Sequence, residues 1–240
     1  MTDRENHHTA FLAQALAGAG NLVIYRGILE DPVCRAMLRF LQAAVAGTET
    51  GEVFSELFFL LSQKAAGPGD AWQNYLLDLV LYDDNAFTRA AAAMPPERMG
   101  VHLKAAARED LVKLHTLFRV DAPAALAALG GEDRPLWRDL ATAGGDRREE
   151  SAIRSLLRES PDWGDCLADL AAYHSRAGAG LFARYHAFRW SDGHLEGIET
   201  PDPVTLKDLV GYQTQRGIVT ANTERFFAGF PGNKKKKERQ

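Results

Sequence analysis

The chain has 240 residues, 46% of them hydrophobic and 25% charged, enough apolar material for one sizeable core with at most a small satellite. Its net charge of −4 creates no global field favouring nucleic acid or an anionic membrane. Two distant cysteines without CxxC spacing, a polar start (MTDRENHH) with no apolar segment behind it, and apolar runs too short to span a bilayer together predict a soluble cytoplasmic protein.

Residues 1–8 read as a disordered leader, and amphipathic helices with short polar breaks follow. Asp31-Pro32 supplies an N-cap and a first helical residue, after which Cys34, Met37, Leu38, Leu41 and Val45 recur at helical spacing. The chain breaks at 47–51. Phe54, Leu57, Phe58 and Leu61 then form a second stripe that Gly67-Pro68-Gly69 stops. Asp70 caps a third helix carrying Trp72, Leu76, Val80 and Leu81, interrupted at Asp83-Asp84-Asn85.

Pro95-Pro96 starts a long helix with Leu103, Ala107, Leu111, Leu114 and Phe118 along one side. Short helices are predicted over 121–129 and 136–140, each followed by a Gly pair. Ile153, Leu156 and Leu157 share a face in the next one. Ser160-Pro161-Asp162 begins the helix of Leu167, Leu170 and Tyr173. No fixed-period repeat is present. Residues 9–183 therefore read as an irregular helical bundle, a helical accessory domain in a mainly α protein.

The pattern changes at 184–199. Two short segments flank Ser191-Asp192-Gly193, and Asp-Gly in that position predicts a β-hairpin. Phe188 and Trp190 alternate, so they are expected on one face, sealing the hairpin against the helices. Pro201 and Pro203 make an extended linker. Thr205 with Asp208 resembles a capping box, Gly211 breaks the chain, and a helix is predicted over 212–227.

Motifs for chemistry are sparse. His102 and His115 share a helix but point roughly 140° apart at about 100° per residue, so they cannot share a metal through it. His174, His186 and His194 lack H-x-x-x-H spacing, and His7-His8 would bind metal only adventitiously. There is no G-x-S-x-G elbow, and Glu149-Glu150 and Asp83-Asp84 read as solvated helix ends. Arg184, Tyr185, His186, Phe188, Arg189 and Trp190 have the chemistry to stack on single-stranded nucleic acid, but the acidic balance favours packing, so nucleic acid is not an expected partner.

The richest stretch is 195–233, LEGIETPDPVTLKDLVGYQTQRGIVTANTERFFAGFPGN. Pro201-Asp202-Pro203-Val204, Leu206, Asp208-Leu209, Gly211-Tyr212, Gln215, Asn222-Thr223-Glu224, Phe227, Gly229, Pro231 and Asn233 match the pattern that precedes the P-loop in a bacterial family of predicted AAA-superfamily (AAA+) ATPases, catalogued only as a domain of unknown function. That family also shows an F-R-W, polar turn, L-e-G sequence, matched by Phe188-Arg189-Trp190 and Leu195-Glu196-Gly197. The resemblance implies that 200–233 open an AAA+ module, a C-terminal linker and helix after the bundle and hairpin. It also implies that Leu209, Val210, Gly211 and Tyr212 form the wall beside the adenine of ATP. An apolar slot with a Gly permitting close backbone approach suits a purine edge.

The strand and G-x-x-x-x-G-K-[ST] that follow in the family are absent, and 234–240 is KKKKERQ, expected to be a basic disordered tail. The chain is accordingly expected to be an accessory or regulatory portion, truncated before the Walker A motif. ATP and Mg²⁺ would belong to the complete family protein, with no tight binding and no catalysis by this chain alone. The expected partner is a protein or protein substrate. The alternative is a standalone helical interaction module that docks through the 212–227 helix, with Val219, Asn222 and Phe226 on one side and Ile218 and Phe227 nearby.

Overall fold

The computed structural model describes residues 3–64, 69–128, 151–205, 208 and 211–228. The described residues are mainly α, with one two-stranded antiparallel hairpin. They fall into two compact units, Met1–Gly197 and Ile198–Gln240.

The first helix, α1, spans Asp3–Gly20, so residues 3–8 are helical where a disordered leader is expected over 1–8, and residues 1–2 lie outside the described residues. Polarity was the only sign of disorder there. The helix is anchored further along, where Leu12, Ala15 and Ala19 are buried at i, i+3 and i+7. Small alanines allow it to lie close against α6 (Val101–Phe118) and α2 (Pro32–Ala46).

Asp31 starts α2 as the sequence predicts: its carboxylate accepts from the amides of Val33 and Cys34 at 2.8 and 3.1 Å. Its other oxygen accepts from the Tyr75 hydroxyl at 2.7 Å, tying α2 to α4 (Ala71–Leu81). Gly47, at φ 65°, closes α2, a left-handed C-terminal residue that favours glycine. α3 (Gly51–Lys64) packs on α2, with Phe54 edge-on to Phe40 at 5.7 Å. The Gly67-Pro68-Gly69 stop lies largely outside the described residues, and the 136–140 helix lies wholly outside them.

Asp70 caps α4 by accepting from Gln73 at 2.9 Å, and Asp83-Asp84-Asn85 does interrupt the run. Asn85 caps α5 (Ala86–Ala93) through a reciprocal arrangement with Thr88. Pro96–Arg98 forms a single 3₁₀ turn before α6. α7 (Ala122–Ala128) begins where Asp121 accepts from the amide of Ala124 at 2.9 Å.

In α8 (Ala152–Glu159) Ile153 and Leu157 are buried, whereas Leu156 is exposed. A two-turn helix presents a narrow stripe, and i, i+4 wins over the third apolar residue. Trp163–Cys166 forms a 3₁₀ turn ahead of α9 (Leu167–Ala177). Trp163 is fully buried, bonds the Leu157 carbonyl at 2.6 Å, and lies 4.9 Å from the Phe118 ring. Gly164 permits close approach here, because a Cβ would stand 2.8 Å from the Val112 side chain of α6.

The short α10 (Leu181–Arg184) leads into β1 (Phe188–Ser191) and β2 (His194–Gly197). Register pairs Phe188 with Gly197, Arg189 with Glu196, Trp190 with Leu195 and Ser191 with His194. Asp192 and Gly193 have φ of 49° and 85°, the left-handed pair that a tight two-residue hairpin requires.

In the second unit, α11 occupies Gln213–Phe227.

Candidate functional site

The segment with a family-like pattern begins in the hairpin. Phe188, at its base, is half-buried and packs on Phe182 with ring centroids 5.2 Å apart. Trp190 is 71% exposed, which corrects the expectation that both rings seal the hairpin against the helices. They do share a face, but Trp190 sits two residues closer to the turn, beyond the reach of the helices. On the opposite face Arg189 donates to Glu196 at 2.7 Å, and His194 lies 3.1 Å from the same carboxylate. The Arg189 bond holds the Glu196 carboxyl below its usual range; in so exposed a setting the pair adds little stability.

Gly197, the glycine of the L-e-G match, has a specific structural cause. Any Cβ there would overlap the Tyr185 ring, which lies flat on the glycine. Arg184 places its guanidinium 5.7 Å from the Tyr82 ring centre and 5.4 Å from that of Tyr185. The base of the hairpin is therefore fastened to the helical body by aromatic contacts, and its tip is free of them.

Of the four residues implied for an adenine wall, Leu209 and Val210 lie outside the described residues. Gly211 has φ 84°, a conformation that suits glycine, and Tyr212 follows at φ 54° as the residue before α11. The Tyr212 side chain is 76% exposed. Asp208 accepts from both the amide and the hydroxyl of Thr205, at 2.8 and 2.6 Å, which holds its carboxyl below the usual range and bears out the short capped turn. No residue of α11 is buried: Ile218, Val219, Phe226 and Phe227 are all exposed, and Phe226 and Phe227 touch each other edge-on. α11 is thus a mostly polar helix whose few large apolar side chains meet no core among the described residues.

The histidines disperse. His102 is exposed on α6, while His115 is half-buried and stacks on Phe118 and Trp163. His174 is fully buried on α9, and His186 is exposed. Among the described residues no three His, Cys, Asp or Glu side chains could hold a metal ion.

Two buried polar groups, Asp110 and His174, take on structural roles that no motif in the sequence names. Asp110, fully buried on α6, receives the amides of Val23, Ile24 and Tyr25 on one oxygen at 2.8, 2.6 and 3.0 Å. Its other oxygen lies 3.6 Å from the Lys113 ammonium. His174 donates from Nδ1 to the Gly178 carbonyl at 2.9 Å, and its Nε2 has no partner among the described residues. Both signals were legible: Asp110 falls at i+3 from Ala107, and His174 at i+4 from Leu170, so each sits on a buried stripe. A shallow open depression also lies beside α8, with Leu156 on its floor and Glu159, Asp165 and Asp169 around it.

The described residues form a mainly α protein with one antiparallel hairpin. The sequence profile of a family described as a protein of unknown function, DUF815, matches residues 183–235, from the end of α10 through the hairpin and α11. No curated protein and no solved structure matches the chain. No helix among the described residues is long and apolar enough to cross a membrane.

Proposed function

We propose that this chain is the accessory and regulatory part of an AAA+-type ATP-binding protein. Residues 9–183 recognise a protein partner or protein substrate, 184–199 connect, and 200–233 open a nucleotide module in which Leu209, Val210, Gly211 and Tyr212 face the adenine. The observation that carries this reading is α11: a 15-residue helix with exposed Ile218, Val219, Phe226 and Phe227 and no buried residue. The helix as a whole is polar, and its four exposed large apolar side chains are what favour further structure packing on it. The left-handed Gly211-Tyr212 pair ahead of it is compatible with close backbone approach to a purine.

The chemistry stops short of hydrolysis. A triphosphate needs converging amides, an ammonium group and a hydroxyl on Mg²⁺, and G-x-x-x-x-G-K-[ST] occurs nowhere in the 240 residues. Contacts to the base alone support binding of about 1 mM or weaker. The test is a calorimetric ATP titration of this chain beside one extended after Asn233 by a family strand and P-loop. Binding is expected only in the extended chain, and Tyr212→Ala is expected to weaken it by about tenfold, as loss of about 1.4 kcal/mol of ring contact would. Mg²⁺-dependent phosphate release by the 240-residue chain, or no nucleotide binding by the extended one, would overturn the proposal.

The same exposed face favours a second reading, a helical interaction module that uses α11 to dock on another protein. ATP-independent capture of a partner, lost in Phe226→Ser, is the outcome that would prefer it.

A further inference from the structure

We infer that His174 is a pH-sensitive pin: while neutral it fastens the 178–180 turn, and with it α10 and the hairpin, to the α5–α9 body, and on taking up a proton it releases them. The inference is independent of the nucleotide reading.

The geometry begins with the bond from Nδ1 to the Gly178 carbonyl at 2.9 Å. A carbonyl only accepts, so Nδ1 carries the proton and Nε2 is a bare lone pair. Phe87 of α5 meets the ring edge-on at 6.3 Å and Tyr173 at 5.0 Å, and the residue has no exposed surface. Protonation would therefore bury both a charge and an Nε2–H donor with no acceptor, the costliest combination for an interior group.

What the pin holds is narrow. Gly178 and Gly180 have φ of 87° and 58°, so the turn rests on two glycines. The Gly180 amide donates to the Asp83 carbonyl at 3.3 Å, and a Cβ at Gly180 would stand 3.0 Å from Asp84. Beyond the turn lie α10 and the hairpin.

Charged and titratable groups on the elements packed on α9 include Arg89, His115, Arg154, Asp165, Cys166 and Arg184, the adjoining turn carries Asp83 and Asp84, and α9 itself carries Asp169, Tyr173 and Arg176. None of them shifts the imidazole. Burial lowers its pKa, and the Gly178 bond opposes this. Asp83, raised by burial, works in the other direction, since acid relieves a buried carboxylate.

A histidine whose pKa is lower when folded favours the closed form above its ordinary value of 6.5 and loses that advantage as pH falls towards the folded value. Up to one proton is taken up on opening, so the opening constant should rise as pH falls through that window, by at most about tenfold per pH unit.

The experiment is hydrogen exchange on the full chain between pH 7.5 and 5, corrected for the intrinsic rate. Peptides from 178–197 should show that slope, while those of α2 and α3 keep their protection. In His174→Leu, neutral at every pH, the slope should vanish. Equal protection across the range, a slope that survives in His174→Leu, or parallel loss in α2 and α3 would overturn the inference. If that variant does not fold, NMR titration of the wild-type imidazole decides. Its midpoint must lie below 6.5 and coincide with the loss of protection, and titration without opening refutes the pin.

Discussion

Asp110 shows what one side chain does for the start of the chain. Residues 23–25 turn from α1 towards the 3₁₀ stretch Arg26–Glu30, and their three amides point away from any helical partner. One carboxylate oxygen takes all three, and Lys113, itself bonded to the Asn21 carbonyl at 2.8 Å, balances the charge. Asp110→Ala would leave the amides of Val23, Ile24 and Tyr25 without their acceptor while Lys113 keeps Glu109 and the Asn21 carbonyl, for an expected loss of about 3–5 kcal/mol in urea unfolding. A loss under about 1 kcal/mol would mean that water replaces the carboxylate. The acid itself was visible on an otherwise apolar stripe. Its partners, more than eighty positions upstream, were not, because helical periodicity says which way a residue faces and nothing about what it meets.

At the scale of elements, the hairpin joins local and tertiary causes. Its turn follows from Asp192-Gly193 alone, and its register follows from the turn. Its attachment does not, since that depends on Tyr185 lying over Gly197. Gly197→Ala must push the ring away or bend β2, at an expected cost of about 1–3 kcal/mol. NMR should show the cross-strand contact of Trp190 with Leu195 intact and that of Tyr185 with residue 197 lost. An undisturbed Tyr185 would refute this account of the glycine. The caps at Asp31 and Asp70 are legible because capping is decided within four residues, whereas Asn85 reads only as an interruption and its cap on α5 is seen in the structure. The α1 start was misjudged because what holds that helix is buried area on α6 and α2 rather than its own first turns.

Across the whole molecule, every buried hydrophobic residue among those described precedes residue 198, Ala183 being the last. The buried core among the described residues thus lies within the first unit. A chain ending after Gly197 should keep its near-UV spectrum and melt within about 2 °C of the full chain, which corresponds to less than about 1 kcal/mol for a domain this size. A fall of more than about 5 °C would show that the two units are energetically one. The DUF815 profile straddles this division, taking the hairpin from the first unit and α11 from the second.

Composition, the capped helix starts at Asp31 and Asp70, the apolar stripes and the Asp-Gly turn were set by the sequence itself, because each depends on neighbours within a turn or two of the chain. The burial of His174 with a bare nitrogen, the three amides on Asp110, the exposure of Trp190 and the bare flanks of α11 were decided only by the tertiary structure. Burial is a property of what packs from elsewhere, and no local spacing encodes which distant residue arrives or whether one arrives at all.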